Sequence, residues 1–585
     1  MVTQLVKNIN PGAGQSSNPE FLTDINGTLF FAADDGTFGE ELWKSDGTEA
    51  GTVLVFNINP NAGSSSFPNE ITNVNGVAFF AADNGSDGEE LWKSDGTAAG
   101  TSIVRNIRAG GSSFLDELTE VNGTLFFSAN DGNDGQELWK SDGTTTGTVL
   151  VKDIRAGGNS SSPDELTDVD GILFFNAFTS SNGRELWRSD GTEAGTFEVR
   201  DIWQGGSSSN PQNLTHVNGE VFFTADDGAS GRELWRSDGT FSGTTIVRDI
   251  FSGGGSSNIT EIVNINGTVF FSANDGNSGQ ELWKSDGTVS GTELVKDINS
   301  GAGGSSPQNL AVIGNTLYFT ADDGTNGSEL WKSDGTDEGT VLVKDIRPGS
   351  DSSTPNNLTP VNGTLFFSAF DDDTGEELWQ SDGTDAGTTL VEDTRPGPSD
   401  SNPEELIGVG NDLFFTSDDG TNGNELRRVE GATILNEPIT RFQNDDLPGT
   451  FLFAGEDESN AIRNDPNLSQ FTEEGFAFNV SDQPADDLIL INRFRNENVP
   501  GTFLFADEDE SNAILSNSNF SQFVLEGPAF YVYGVGSGQG EEYFRFRNEQ
   551  FAGVYIFVDE TERNNILNNP NLSQFVLEGP AFEVG

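Results

Sequence analysis

Along most of this chain, apolar and polar positions trade places every second residue, in short bursts separated by Gly, Asn and Asp. Residues 355–394, PNNLTPVNGTLFFSAFDDDTGEELWQSDGTDAGTTLVEDT, show one full cycle. Leu358 to Val361 alternates, Asn362-Gly363 interrupts, and Thr364-Leu365-Phe366-Phe367 resumes. A period of two predicts strands, and Asn-Gly between two such runs predicts a hairpin, because a type I′ turn needs positive φ at both central residues. The same slot holds Asn-Gly at 26, 75, 122, 218, 266 and 362, then Asp170-Gly171, Gly314-Asn315 and Gly410-Asn411. A second turn, Asp-Asp-Gly or Asn-Asp-Gly in most copies, leads into Glu-Leu-Trp. Ser-Asp-Gly-Thr-x-x-Gly-Thr then reverses the chain into Leu-Val-Lys-Asp-Ile. The pattern predicts four strands of about five residues joined by tight reversals, hence an antiparallel four-stranded sheet. Longer Gly/Ser/Pro segments, such as 109–113, connect one sheet to the next.

The cycle repeats. Tryptophans stand at 43, 92, 139, 187, 235, 283, 331 and 379, and a ninth copy, Glu425-Leu426-Arg427, lacks the tryptophan. In each unit an aromatic pair (Phe30-Phe31 in the first, Tyr318-Phe319 in the seventh) sends one ring to each face of its sheet. A sheet apolar on both faces must lie between neighbours, which a radial arrangement provides for every unit. The expected fold is all-β: a β-propeller of about nine four-stranded antiparallel blades over residues 1–436. Ten copies of the Leu-Val-Lys-Asp-Ile strand, from 5–9 to 433–436, serve nine sheets. The first is expected to close the ring beside Leu426, leaving 433–436 as a linker. The alternative is that 433–436 completes its own blade and 5–9 covers an edge.

After residue 437 the pattern changes. Arg441-Phe442, Arg493-Phe494 and Arg545-Phe546 open three units, each with a strand like Gly-Thr-Phe-Leu-Phe-Ala and a Glu-Gly-x-Ala-Phe run ending at Phe478, Phe530 and Phe582. Residues 437–585 are therefore expected to form a smaller, threefold-repeat, β-rich and trefoil-like domain. The acidic residues before Asn460 and Asn512 suit the start of a short helix.

The repeat Glu-Leu-Trp-x-x-Asp-Gly-Thr-x-x-Gly-Thr-x-Leu-Val-Lys-Asp-Ile resembles the bacterial ELWxxDGT repeat family, found in large, exported proteins, and the likeness covers residues 1–436. It implies no established activity. Blade nine departs from it at Arg427, Val429 and Glu430. The C-terminal units resemble an uncharacterised bacterial module of Arg-Phe…Glu-Gly-x-Ala-Phe repeats, often appended to exported hydrolases and surface proteins. Its usual His-Phe-Tyr-Thr strand is Thr-Phe-Leu-Phe here.

Composition narrows the partners. Acidic residues number 94 against 29 basic ones, a formal net charge of −65. Such a field repels nucleic acid and anionic membranes and attracts cations; a solubilising acidic surface is the plainer reading. Zero cysteines exclude disulfide and zinc-thiolate chemistry. The start, MVTQLVKNINPGAG, is not a Sec-type signal, and no apolar stretch reaches the length of a membrane-spanning helix. The expected location is extracellular or at the cell surface by a route without an N-terminal signal, with the cytoplasm as the alternative.

No catalytic or cofactor-binding motif stands above the repeat. The carboxylates of the Asp-Asp-Gly turns (Asp34, Asp35, Asp226, Asp227, Asp322, Asp323, Asp371, Asp372, Asp373, Asp418 and Asp419) are the candidates for a metal ion, with calcium the ion they would take; turn formation explains them equally. The aspartates of Ser-Asp-Gly-Thr, such as Asp46, read as Asx turns. Trp203 and Phe251 break the repeat after Asp-Ile in adjacent blades, either as a ligand surface or as fillers between connectors. His216, the single histidine, falls on a variable position before a hairpin. The first expectation for function is a non-enzymatic binding or adhesion scaffold recognising carbohydrate or a cell-surface protein. The rival is a polysaccharide-active hydrolase or lyase with a carboxylate pair at the propeller axis, and a third possibility is that the propeller displays the C-terminal module. A channel lined by one repeated residue favours the scaffold, and two unrepeated, perturbed carboxylates favour the enzyme.

Overall fold

The computed structural model describes residues 3–12 and 14–431. Beyond them it describes strands at 437–444, 451–454, 471–480, 488–496, 503–506, 523–533, 541–548, 555–558 and 575–584, with Arg563 and Leu567. Blade one consists of Glu20–Ile25, Thr28–Asp34, Glu40–Ser45 and Val53–Phe56, hydrogen-bonded in that order. Seven more blades repeat this order. The hairpin between the first two strands is the predicted one: Asn26 and Gly27 have φ of 53° and 82°. In the reversed copies only the glycine, Gly314 or Gly410, is at positive φ, as a type II′ turn requires.

The first strands of neighbouring blades touch in an unbroken circle, with Glu404–Val409 of blade nine meeting Glu20–Ile25 of blade one. The fold is a nine-bladed propeller, and these strands surround its axis. Phe-Phe and Leu-Trp explain the cohesion. Phe30, Leu42, Val55 and Ile58 of blade one meet Phe80, Ala82 and Trp92 of blade two. Phe31, Ala33 and Trp43 face the other way, against Phe414 and Leu426 of blade nine. The second phenylalanine of all nine pairs, Phe31 to Phe415, is fully buried.

Closure uses the N-terminus. Thr3–Leu5 forms the outer strand of blade nine, pairing antiparallel with Arg427–Val429, and Val6 N–H donates to Leu426 O at 3.0 Å. The spare strand thus completes the ring beside Leu426 as expected; residues 433–436 lie outside those described. Blade nine accommodates its missing tryptophan with an ion pair. Arg427, 5% exposed, meets Asp419 at 2.7 Å in the space the indole fills elsewhere.

The chain divides into compact units Met1–Gly431 and Ala432–Gly585. In the second unit, Glu437–Asn444, Leu488–Asn496 and Glu541–Asn548 are each flanked by a short and a long strand. Arg441, Arg493 and Arg545 lie opposite Gly475, Gly527 and Gly579 in the same register. These strands make one three-stranded and one six-stranded sheet. The connections that decide a trefoil-like closure, and the helix expected near Asn460 and Asn512, fall outside the described residues.

Candidate functional site

Each axial strand breaks register once. In blade three Asp116 pairs with Ser128, and the next pair is Thr119 with Phe126. Such a bulge inserts a residue that must re-aim its side chain. Here the residue lies in the left-handed region in every blade: Phe21, Glu70, Glu117, Glu165, Asn213, Glu261, Asn309, Asn357 and Glu405. In seven of these blades its side chain reaches the next blade. Glu70 accepts from Leu118 N–H (3.3 Å), Glu117 from Leu166 (2.9 Å), Glu165 from Leu214 (3.2 Å), Glu261 from Leu310 (2.8 Å) and Glu405 from Leu22 (3.2 Å). Asn309 and Asn357 donate to the carbonyls of Pro355 and Pro403. Each bridge satisfies a main-chain group that the bulge removes from the ladder.

The circle is uneven. Blades two to four place Asn69-Glu70, Asp116-Glu117 and Asp164-Glu165 at successive steps, whereas blades five, seven and eight place amides there. Glu117 and Asp164 belong to adjacent blades and interact across the boundary between them. Burial, opposed by the Leu166 N–H and reinforced by the charges of Asp164 and Asp116, pushes Glu117 up to about 7. Burial also raises Glu70 and Glu165, with Asp116 and Asp164 respectively adding repulsion. Arg184, held by Ser162 O and Asn176 Oδ1, acts electrostatically on Asp164. A cavity of about 490 Å³ opens beside them, lined by Glu89, Phe114, Asp116, Gln136, Asp164 and Arg184. A second cavity, of about 460 Å³, lies along blades six to nine, where Asn309 and Asn357 stand between Glu261 and Glu405.

The residues singled out from sequence serve the turns. Asp34 accepts Gly36 N–H, and Asp35 accepts the N–H groups of Thr37 and Phe38. Asp226 with Asp227, Asp322 with Asp323 and Asp418 with Asp419 repeat this arrangement. Asp371 accepts from Asp373 and Thr374, and Asp372 pairs with Arg347 at 2.7 Å. Among the described residues, no group of three or more His, Asp or Glu is placed to hold a metal. Asp46 caps its turn by accepting from both the N–H and the hydroxyl of Thr48, which holds its carboxyl below the usual value. Gly51 is obligatory in that turn, since a Cβ would meet the Asp46 carboxylate at 1.9 Å.

Trp203 and Phe251 are half-buried and pack on the next blade's turn. A Cβ on Gly228 would meet the Trp203 indole at 2.4 Å, and one on Gly276 would meet the Phe251 ring at 2.9 Å. They fill the gap beneath the connectors. His216 accepts Gly219 N–H through Nε2, 3.4 Å from Asp170, in a hairpin at the end of the blades opposite the Glu117 cavity. It is engaged in turn structure.

Sequence reading overlooked the glutamate of Glu-Leu-Trp. Glu41 and its eight counterparts, through Glu425, are completely buried. Glu41 accepts Ile58 N–H (2.8 Å), Asn59 N–H (3.2 Å) and the Ser66 hydroxyl (2.6 Å), fastening the connector that enters blade two. Glu425 does the same for Ile9, Asn10 and Ser17 across the ring closure. Its signal was present in the sequence: an acid invariant among nine copies, immediately before a leucine that is itself invariant.

No family model matches the chain, and no curated protein matches it. Solved structures do resemble it. A puromycin hydrolase shares 14% identity at TM-score 0.32, covering 63% of this chain and 60% of that one. A prolyl endopeptidase shares 12% at TM-score 0.35, covering 68% and 54%. Prolyl oligopeptidase B from Galerina marginata shares 13% at TM-score 0.32, covering 64% and 55%. The chain thus spans little more than half the length of these proteins. At this level the likeness carries no argument about activity.

The expectation of a non-enzymatic adhesion scaffold is nevertheless corrected. The solved structures it resembles are named a puromycin hydrolase, a prolyl endopeptidase and a prolyl oligopeptidase.

Proposed function

We propose that Glu117 and Asp164 form the acid–base centre of a hydrolase that adds water to a carbonyl group, with the peptide bond as its substrate class. The observation that carries this is a pair of interacting carboxyls from adjacent blades, Glu117 raised to about 7 by burial and by the charge of Asp164, next to an open cavity that Asp164 lines. Two carboxyls sharing one proton can supply base and acid in the same step. Asp164 takes a proton from water, whose oxygen bonds to the carbonyl carbon while Glu117 gives its proton to the carbonyl oxygen. In the second step Asp164 returns its proton to the amide nitrogen, Glu117 takes one from a hydroxyl, and the C–N bond breaks. The products are a carboxylic acid and an amine, and the pair again holds one proton.

Activity needs that proton, so it is expected to fall as pH rises through about 7, where Glu117 ionises. Glu117→Gln and Asp164→Asn should each lower kcat by about 10²- to 10⁴-fold. Release of new amino groups from a panel of unfolded peptides at pH 5 to 8 measures both effects. A wild-type chain that releases none above the uncatalysed background would end the proposal.

A further inference from the structure

The axial strands of neighbouring blades are stitched together at one position, the leucine or isoleucine that follows each bulge. In blades three, four and five this residue is held twice by the blade before. Leu118 gives its N–H to Glu70 (3.3 Å) and takes the Thr72 hydroxyl on its carbonyl (3.1 Å). Leu166 is held in the same way by Glu117 and Thr119, and Leu214 by Glu165 and Thr167. Both main-chain groups of this residue therefore turn to the same side. Leu22, Ile71, Ile262, Leu310 and Leu406 each keep one of the two bridges.

Blade eight keeps neither. Asn309, at the bulge of blade seven, donates instead to Pro355 O at 3.2 Å, and Ala311 stands where other blades place the threonine. Among the described residues, Leu358 is thus the one member of this circle that the preceding blade leaves open on both its N–H and its C=O. It lines the cavity of about 460 Å³ along blades six to nine, together with Leu310, Leu406 and Ile407. Glu261 and Glu405 on the same wall are already engaged by the N–H groups of Leu310 and Leu22. The cavity therefore presents a main-chain donor and acceptor on one residue, set among apolar side chains. A cation would leave the N–H unpaired, and an anion the C=O. Another strand satisfies both, because paired antiparallel residues exchange both N–H···O bonds. Extended peptides bind open strand edges in this way.

We propose that Leu358 anchors a peptide-binding site, in which an uncharged, extended segment pairs with strand Asn356–Val361 of blade eight. The site shares no lining residue with the cavity beside Asp164 and does not depend on hydrolysis there.

The full-length Glu117→Gln chain, chosen so that turnover does not consume the probe, is titrated with acetyl-Ala-Leu-Ala-amide by ligand-observed NMR. A second probe carries a methyl group on each residue's main-chain nitrogen, which removes every donor that Leu358 O can accept from those residues. The first probe should bind more tightly than the second by about tenfold or more. Asn309→Glu with Ala311→Thr installs the two bridges of blades three to five and so closes the edge from within the chain. That double variant should melt at or above the parent temperature and bind the first probe about tenfold or more weakly. Ala311→Thr alone closes only the carbonyl and should weaken binding about three- to tenfold, the effect of one main-chain hydrogen bond. Three results would overturn the proposal: no binding of the first probe, equal affinity for both, or a double variant that melts and binds like its parent. The edge would then be solvated only. If the double variant does not fold, the comparison of the two probes decides. The expected pattern in a chain whose wild type hydrolyses no peptide would uphold this site and remove the catalytic reading alone.

Discussion

At the scale of single residues, the propeller depends on polar groups that a hydrophobic pattern does not reveal. Glu377 accepts from Thr394 N–H (3.1 Å), Arg395 N–H (3.3 Å) and the Ser401 hydroxyl (2.7 Å) while fully buried. Truncation to alanine strands these donors away from water, and a buried unpaired donor costs about 1–3 kcal/mol. Glu377→Ala should therefore lower unfolding free energy by about 2–4 kcal/mol in urea titration; a loss below about 0.5 kcal/mol would show that the connector does not need its latch. The same scale explains which site residues could be read in advance. The Ser-Asp-Gly-Thr aspartates were legible because an Asx turn is local, made within a few residues of the side chain. Glu117 and Asp164 were not, because they lie 47 positions apart and meet only where two blades touch. Trp203 and Phe251 looked like breaks in the repeat, yet they fit an ordinary gap above a glycine. The strain at Phe67 and Phe114, large side chains held at positive φ, became visible only once their backbone angles were known.

At the scale of elements, the outer strand shows how closure is written. In seven blades a Lys or Arg of this strand, such as Lys152, donates to a main-chain carbonyl of the next blade's Ser-Asp-Gly-Thr turn, here Thr196 O at 2.6 Å. Blade nine has lost that turn, and Thr3, at the head of strand Thr3–Leu5, stands in the same neighbourhood. Blade eight correspondingly carries Glu392, which accepts from both the N–H (2.8 Å) and the hydroxyl (2.6 Å) of Thr3. The exchange of donor for acceptor follows from the exchange of a carbonyl-rich turn for a threonine that offers N–H and O–H. Glu392→Lys should loosen this one strand at a cost of about 1–3 kcal/mol. The expected readout is faster amide exchange at Thr3 to Val6 with blades two to seven unchanged; unchanged protection there would refute the account. Arg427 with Asp419 is the matching adjustment in the core of blade nine, a buried ion pair where eight other blades place an indole.

At the scale of the whole molecule, nine buried glutamates couple stability to pH. Glu41, Glu90, Glu185, Glu233 and Glu377 are pushed up to about 7 by burial, against the opposing pull of their hydrogen bonds. A carboxyl that holds its proton more tightly when folded stabilises the fold fully below its unfolded value, 4.5, and loses that contribution as pH rises to about 7. The turn aspartates act in the other direction. Their folded values are lowered from 3.8 by the threonine hydrogen bonds, so their contribution disappears only as pH falls below that value. The melting temperature should thus be higher at pH 5 than at pH 8 and fall again below about pH 3.8. Relief of the net charge acts in the same sense, and 1 M salt separates the two because it screens exposed charges but not buried ones. Calorimetry in 1 M salt that finds no rise from pH 8 to pH 5 would contradict the role given to the latches.

The nine-blade architecture could be read from the one-dimensional pattern because its causes are local and repeated. Strand periodicity, turns that need positive φ, and rings on both faces of each sheet recur until only a closed circle buries them all. The spare strand beside Leu426 was readable for the same reason: ten outer strands serving nine sheets leave one to bridge the ends. What tertiary structure alone decided is the chemistry at the axis. A repeat makes its copies equivalent along the chain, but bending it into a ring brings residue 117 against residue 164 and residue 3 against residue 392, and proximity of that kind determines which polar groups act on one another.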